Sequence, residues 1–137
     1  MGRILAVDDE LDMLSLIKLI IENYSHHQVT TTNNPLEAAE ILNQERFDLL
    51  ITDLKMPGLD GMELLALAKQ FDEDALVLMV TAFGSLALAE EAVAKGAFDY
   101  LSKPFRKEQL LLAIDKAMRW REMLLQNKEL KKQLQKE

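Results

Sequence analysis

Phe47-Asp48-Leu49-Leu50-Ile51-Thr52-Asp53 contains an apolar run, Leu49 to Ile51, that is too short for a helix and is flanked by polar residues. Such a run reads as a strand buried on both faces, the pattern of a parallel sheet covered by helices on either side. Asp53 stands where the run ends, and Leu54-Lys55-Met56-Pro57-Gly58 follows as a loop. In open parallel sheets, ligands gather just beyond the carboxyl ends of the strands. A carboxylate at that point sits on a rigid scaffold and faces solvent, which makes Asp53 the first candidate for chemistry.

On either side of this strand, short apolar runs alternate with helical stripes. Residues 3–7 form an apolar strand that ends in Asp8-Asp9-Glu10. Leu11, Leu14, Ile17, Lys18 and Ile21 recur at helical spacing, which predicts a helix over 11–23. Residues 29–32 are β-branched and predict a second strand. Asn34-Pro35 marks the next helix start, with Pro at the first helical position and Leu36, Ala39 and Leu42 as the expected apolar stripe. Beyond Asp53, Pro57-Gly58 and Asp60-Gly61 break the chain, and Met62, Leu65 and Ala68 predict a third helix. Residues 76–80 predict a fourth strand, which ends at Thr81-Ala82. Ser85 is placed to cap a fourth helix with Leu88, Ala92 and Val93 turned inward, and Lys95-Gly96 ends it. Residues 98–101 predict a fifth strand, followed by Ser102-Lys103-Pro104-Phe105; from about Arg106 onward one long helix is expected. The chain carries no internal repeat and no low-complexity linker.

Five alternations of strand and helix imply an α/β fold with parallel strands, right-handed crossovers and helices on both faces. The expected architecture is a flavodoxin-like (βα)5 three-layer sandwich of strand order 2-1-3-4-5, with an extended C-terminal helix. Its switch point lies between the first and third strands. That topology brings Asp8, Asp9 and Asp53 together in one crevice, with Thr81 and Lys103 at the same edge.

Composition narrows the function. A length of 137 residues suits one compact domain. A net charge of −7 argues against a nucleic-acid surface on the globular part, since phosphate contacts need clustered Lys and Arg. With no cysteine, disulfides and thiolate metal sites are excluded, and a reducing compartment such as the expected cytoplasm is allowed but not demanded. No apolar run reaches the roughly 18 residues of a membrane span. The N-terminus leads directly into a strand, so no signal peptide is expected. Met1-Gly2 resembles a myristoylation start, but Ala6 stands where that motif needs Ser or Thr.

Three carboxylates in one crevice repel one another unless a cation compensates, and Mg²⁺ prefers a few carboxylates with water and phosphate oxygens. Asp9 and Asp53 are the expected carboxylate ligands. The backbone carbonyl of Lys55 is a third candidate, and Asp8 would hydrogen-bond metal-bound water. A carboxylate can attack phosphorus to give an acyl phosphate. Asp53 is then the nucleophile, with the Lys103 ammonium and the Thr81 hydroxyl stabilising the spread charge of the transition state. Ala82 leaves room for the phosphoryl group. Each residue alone has a bland reading: an Asp as a helix cap, a Thr as a cap, a Lys as a solvated charge. Their joint placement at strand ends is what argues for a site.

These residues resemble the receiver domain of bacterial two-component response regulators over about residues 3–118. The resemblance rests on Asp8-Asp9, Asp53 with Met56-Pro57-Gly58 and Gly61, Thr81-Ala82, and Lys103-Pro104-Phe105. It implies phosphoryl transfer from a sensor histidine kinase onto Asp53 and a cis Lys103-Pro104 peptide, which proline permits at small cost. The domain is then a regulatory phosphoacceptor that catalyses only its own phosphorylation and slow dephosphorylation. It further implies a switch in which the Thr81 hydroxyl moves toward the phosphoryl group and Tyr100 turns inward, read out by the fourth helix, fifth strand and fifth helix. Gly84-Ser85 and Gly96-Ala97-Phe98-Asp99-Tyr100 are similar to the NtrC-type class, whose receivers precede an AAA+ ATPase that activates the sigma-fifty-four form of RNA polymerase. Lys55 and Phe83 occupy positions that tune phosphoryl lifetime in the family, and their bulk points to slower hydrolysis.

The implied division is a receiver over 1–118 and a helical, coiled-coil extension or linker over 119–137. Residues 107–137 would span roughly 46 Å as a helix. Trp120, Met123, Asn127, Leu130 and Leu134 follow a heptad seam with Asn127 at an a-type position, which favours one register in a two-stranded coiled coil and predicts a homodimer. From Lys116 onward there are seven basic and three acidic residues. That excess is compatible with a solvated, membrane-surface or nucleic-acid helix; with no groove-reading motif beside it, a dimer helix or linker is the expectation. No phosphate-binding loop follows, so an ATPase output is expected on a longer chain, with a stand-alone protein as the alternative. Two other functions compete. An aspartate-nucleophile phosphatase of the haloacid dehalogenase kind needs a second Asp two residues beyond its nucleophile, whereas Asp8 and Asp9 are adjacent. An unphosphorylated interaction module would not need the full residue set. A flavin site would need a Ser/Thr-rich phosphate loop, which is lacking.

Overall fold

The computed structural model describes residues 2–82 and 86–136. Its elements run β1 (Arg3–Val7), α1 (Leu11–Tyr24), β2 (Gln28–Thr32), α2 (Pro35–Gln44), β3 (Leu49–Asp53), α3 (Gly61–Phe71), β4 (Leu76–Thr81), α4 (Leu86–Ala94), β5 (Asp99–Ser102) and α5 (Lys107–Lys136). The strands form one parallel sheet in the order β2-β1-β3-β4-β5, the expected topology. Residues 83–85, and with them the expected Ser85 cap and the reading of Phe83 and Gly84, lie outside the described residues.

Strand alternation sorts the core into two layers. Leu5, Val7, Leu50, Val77 and Met79 pack with Ala38, Leu42, Leu64, Leu65, Ala68, Ala89 and Ala92 of α2, α3 and α4. Ile4, Ala6, Leu49, Ile51, Leu78 and Val80 pack with Leu14, Ile17, Ile21, Leu110, Ile114 and Ala117 of α1 and α5. Every residue of β3 and β4 is buried, as a central parallel strand requires. Each fully buried Leu or Ile contributes about 1.5–3 kcal/mol of burial free energy.

Helix ends follow their local chemistry. Asn34 caps α2 by accepting from the Leu36 N–H at 3.0 Å, with Pro35 in the first turn. Asp60 and Glu63 form a reciprocal capping box on α3. Gly96, at φ +115°, ends α4: its N–H reaches the Val93 carbonyl and the Ala97 N–H reaches that of Ala92, so the last turn is closed by a left-handed glycine.

The expected inward faces need correction in three helices. Leu11 and Leu36 are exposed because each lies to the side of the stripe its helix buries, Leu36 one residue beyond the buried Pro35. Lys18 is exposed as well; Leu14, Ile17, Ile20 and Ile21 make the α1 stripe, and Pro35, Ala38 and Leu42 that of α2. In α4, Ala89 and Ala92 face the sheet, while Leu88 and Val93 flank them at 37% and 40% exposure. Small residues let this helix approach closely, and its bulky side chains are left outside.

Candidate functional site

The strand register levels the carboxyl edge. Val7 lies opposite both Thr32 and Thr52, Asp53 opposite Val80, and Thr81 opposite Ser102. Asp8, Asp53, Thr81 and Lys103 therefore end, or directly follow, four neighbouring strands. Asp8, Asp53 and Thr81 are buried, an expensive place for carboxylates without partners. The partner is Lys103. Its Nζ donates to Asp8 Oδ2 at 2.8 Å and to Asp53 Oδ2 at 3.1 Å, and lies 3.6 Å from Glu10 Oε1. The Lys103 N–H also donates to the Thr81 carbonyl at 2.7 Å, and the Lys103-Pro104 peptide is cis as expected.

The remaining carboxylate oxygens divide the work. Asp8 Oδ1 accepts the Glu10 N–H at 2.9 Å, so both oxygens of Asp8 are engaged within the protein. Among the described residues, Asp53 Oδ1 meets only the Lys55 N–H, at 3.4 Å. Asp9 and Glu10 are exposed beside them. Burial pushes the Asp8 carboxyl above the ordinary aspartate value; the Lys103 hydrogen bond and the Glu10 N–H offset part of that, and the Asp53 charge adds to it. For Lys103, burial works against the ammonium, but the hydrogen bond to Asp8 and the charges of Asp53 and Asp8 outweigh it and raise its pKa. One ammonium thus serves a cluster too acidic for it to neutralise.

Asp8, Asp9, Glu10 and Asp53 each bring a carboxylate oxygen within 4.8 Å of the others. This is a hard, all-oxygen donor set open to solvent on one side, and it fits Mg²⁺, which keeps several waters and takes one or two carboxylates. Glu10 was missed in the sequence, where it read as the residue after the acidic pair; its place in a three-residue acidic run at a strand end was the available signal. Tyr100 is half-buried on β5 against the core layer that contains Ala89 and Ala92. The tail residues Trp120, Met123, Asn127, Leu130 and Leu134 are exposed and stand apart from this site. Among the described residues, no helix is long and apolar enough to cross a membrane.

A fold of this topology with an acidic carboxyl edge and a bridging lysine defines a class, and the chain belongs to it: it matches the response regulator receiver domain family over residues 4–115. It is thus a receiver domain of a two-component response regulator. It is similar to the chemotaxis protein CheY of Listeria monocytogenes, with 35% identity over 117 residues, 85% of this chain and 98% of that protein. It is 36% identical over 135 residues to the transcriptional regulatory protein GlrR of Escherichia coli, covering 90% of this chain and 30% of GlrR. Among solved structures it resembles a response regulator receiver domain protein from Clostridium thermocellum at TM-score 0.84 and 35% identity, covering 90% of this chain and 99% of that one. NtrX from Brucella abortus, solved with ADP, superposes at TM-score 0.89 and 28% identity over 94% of this chain and 30% of its own.

Proposed function

We propose that Asp53 is the phosphoacceptor, taking a phosphoryl group from a phosphohistidine of a sensor histidine kinase in the cytoplasm. The observation that carries this reading is the Lys103 ammonium shared between Asp8 and Asp53 in the acidic cluster. An Asp53 carboxylate oxygen attacks phosphorus. The O–P bond forms as the P–N bond breaks, and the bonding pair leaves on the imidazole nitrogen. Lys103 shifts its hydrogen bonds toward the phosphoryl oxygens, where charge develops, and the Thr81 hydroxyl assists. Asp9, Asp53 and the Lys55 carbonyl are the groups that would hold Mg²⁺, and Asp8 would hydrogen-bond water beside it. The ion, when bound, supplies the positive charge that lets a phosphoryl group approach so acidic a site.

Thr81 and Tyr100 are the switch pair in this reading. The readout surface is α4, β5 and α5, where Leu86, Leu88 and Val93 already expose apolar area. The segment 119–137 extends the 1–118 receiver as a helix that pairs with a second copy along Trp120, Met123, Asn127, Leu130 and Leu134. GlrR, described as a transcriptional regulatory protein, is more than three times the length this chain covers, which supports a downstream AAA+ output of the NtrC type. Neither nucleic acid nor membrane is a direct partner. The test is incubation with acetyl phosphate and Mg²⁺, read by intact mass. Wild type should gain one phosphoryl group and Asp53→Asn none; equal labelling of both would move the acceptor elsewhere.

A further inference from the structure

Among the described residues, the buried polar side chains are Asp8, Thr32, Thr52, Asp53, Thr81 and Arg121. The first five stand at or beside the carboxyl ends of strands. Arg121 is at the opposite edge, 6% exposed, on the part of α5 that the family match leaves out. Each of its three guanidinium nitrogens donates a hydrogen bond. Nε donates to Asp48 Oδ1 at 2.6 Å, Nη1 to the Asp74 carbonyl at 2.8 Å and Nη2 to Asp72 Oδ2 at 3.1 Å. Asp48 is built to receive it. Its other oxygen accepts the Arg3 N–H at 2.8 Å, and although burial works against its charge, that hydrogen bond and Arg121 hold its carboxyl below the ordinary aspartate value.

Two turns further on, Lys128 meets Glu73 and Asp74. Arg121 and Lys128 share the face of α5 that continues Leu110, Ile114 and Ala117, so two ion-paired points set the line along which the helix departs. Removing one partner of a buried pair strands the other as an uncompensated charge, whereas an exposed pair such as that of Lys128 is weak. Arg121 therefore does the holding, and Lys128 the alignment.

We propose that Arg121 is a positioning residue that fixes the direction of the α5 extension. The receiver and residues 119–128 then form one rigid unit, and the tail is a lever, not a hinge. The face carrying Trp120, Met123, Leu130 and Leu134, 47–71% exposed and turned away from Arg121 around the helix, is presented outward in one orientation as a result.

The test uses the full chain with spin labels on cysteines placed at the exposed positions Glu40 of α2 and Gln133 of α5; the native sequence has no cysteine to interfere. Labelled protein is diluted into unlabelled protein, so that only distances within one chain are read by pulsed electron resonance. Wild type should give a single narrow distance distribution, and Arg121→Gln should lose it. Arg121→Lys, which keeps the charge but not the three-pronged fork, should fail to restore it. If Arg121→Gln does not fold, Asp72→Ala, which removes the acceptor of one prong, should broaden the distribution at unchanged helix content. A broad wild-type distribution, or a narrow one that survives these substitutions, overturns the proposal.

Discussion

The Nζ of Lys103 is 3.1 Å from Oδ2 of Asp53 while also 2.8 Å from Oδ2 of Asp8, so the cation that neutralises the resting Asp53 carboxylate is already within reach of any group added to it. Lys103→Met should therefore slow labelling by acetyl phosphate about 10²-fold, the usual cost of removing one donor to developing charge. Mg²⁺ binding should persist or tighten, because a competing cation has left the cluster. Labelling rates and calorimetric Mg²⁺ titration separate the two effects; an unchanged rate would remove Lys103 from the chemistry.

Two glycines near the site should behave differently. A Cβ on Gly61 would lie 2.3 Å from the Asp53 carbonyl oxygen and 2.9 Å from Leu54 Cα, both backbone atoms that cannot swing aside. Gly61→Ala should destabilise the fold by about 1–3 kcal/mol and, with Asp53 as the proposed acceptor, also slow phosphorylation, since the displaced backbone is that of Asp53. Gly58 has φ +92° with open space around its missing Cβ. Gly58→Ala should cost only the left-handed penalty, about 1–2 kcal/mol, with little change in labelling. Urea unfolding and labelling of the two variants side by side test this contrast.

Most of this site could be read from the sequence because the ends of buried strands are visible as the points where apolar runs stop. Asp8, Asp53, Thr81 and Lys103 sit at such points, and the alternation of elements fixes which edge they share. Arg121 was hidden for the opposite reason. Its partners Asp48, Asp72 and Asp74 are remote in sequence, and within a basic tail it reads as one more solvated charge. Its phase with Leu110, Ile114 and Ala117 was the one available sign that it faces the body. The α4 error has a different cause: Ala92 faces inward as expected, but hydrophobicity also selects Leu88 and Val93, where close packing on a sheet selects Ala89. For Leu11 and Leu36, hydrophobicity marks a residue as a stripe member, but the buried face of each helix is set by the residues deeper in it, and both leucines stand to its side.

His27 gives a pH dependence on the acid side of neutrality. Burial is the main reason its pKa is lowered from 6.5, and the nearby terminal ammonium adds to it. The neutral ring is also useful, since Nδ1 accepts the Gly2 N–H at 2.9 Å. Between the lowered folded value and 6.5 the unfolded chain binds more protons than the folded one, so stability rises with pH across that window and levels off above it. Urea midpoints measured from about pH 5 to about pH 8 should show this rise for the wild type. His27→Gln should flatten it; an identical slope in the variant would assign the effect to another group.

The exposed seam on α5 carries the last prediction. Met123, Leu130 and Leu134 leave 55%, 56% and 71% of their surface to solvent, a cost that a second helix would remove. Asn127 lies among them and would be buried in a paired state, where a polar residue weakens association but selects one register. Asn127→Leu should strengthen self-association and broaden the range of assemblies, while Met123→Lys with Leu130→Lys should leave a monomer that is still labelled by acetyl phosphate. A shortened chain for comparison should end after Lys128, because a cut at 118 would also remove Arg121 and leave Asp48 and Asp72 without their partner. Sedimentation velocity over a concentration series reads all of these. If the wild type and the double lysine variant sediment alike as monomers, the seam is not a self-association surface.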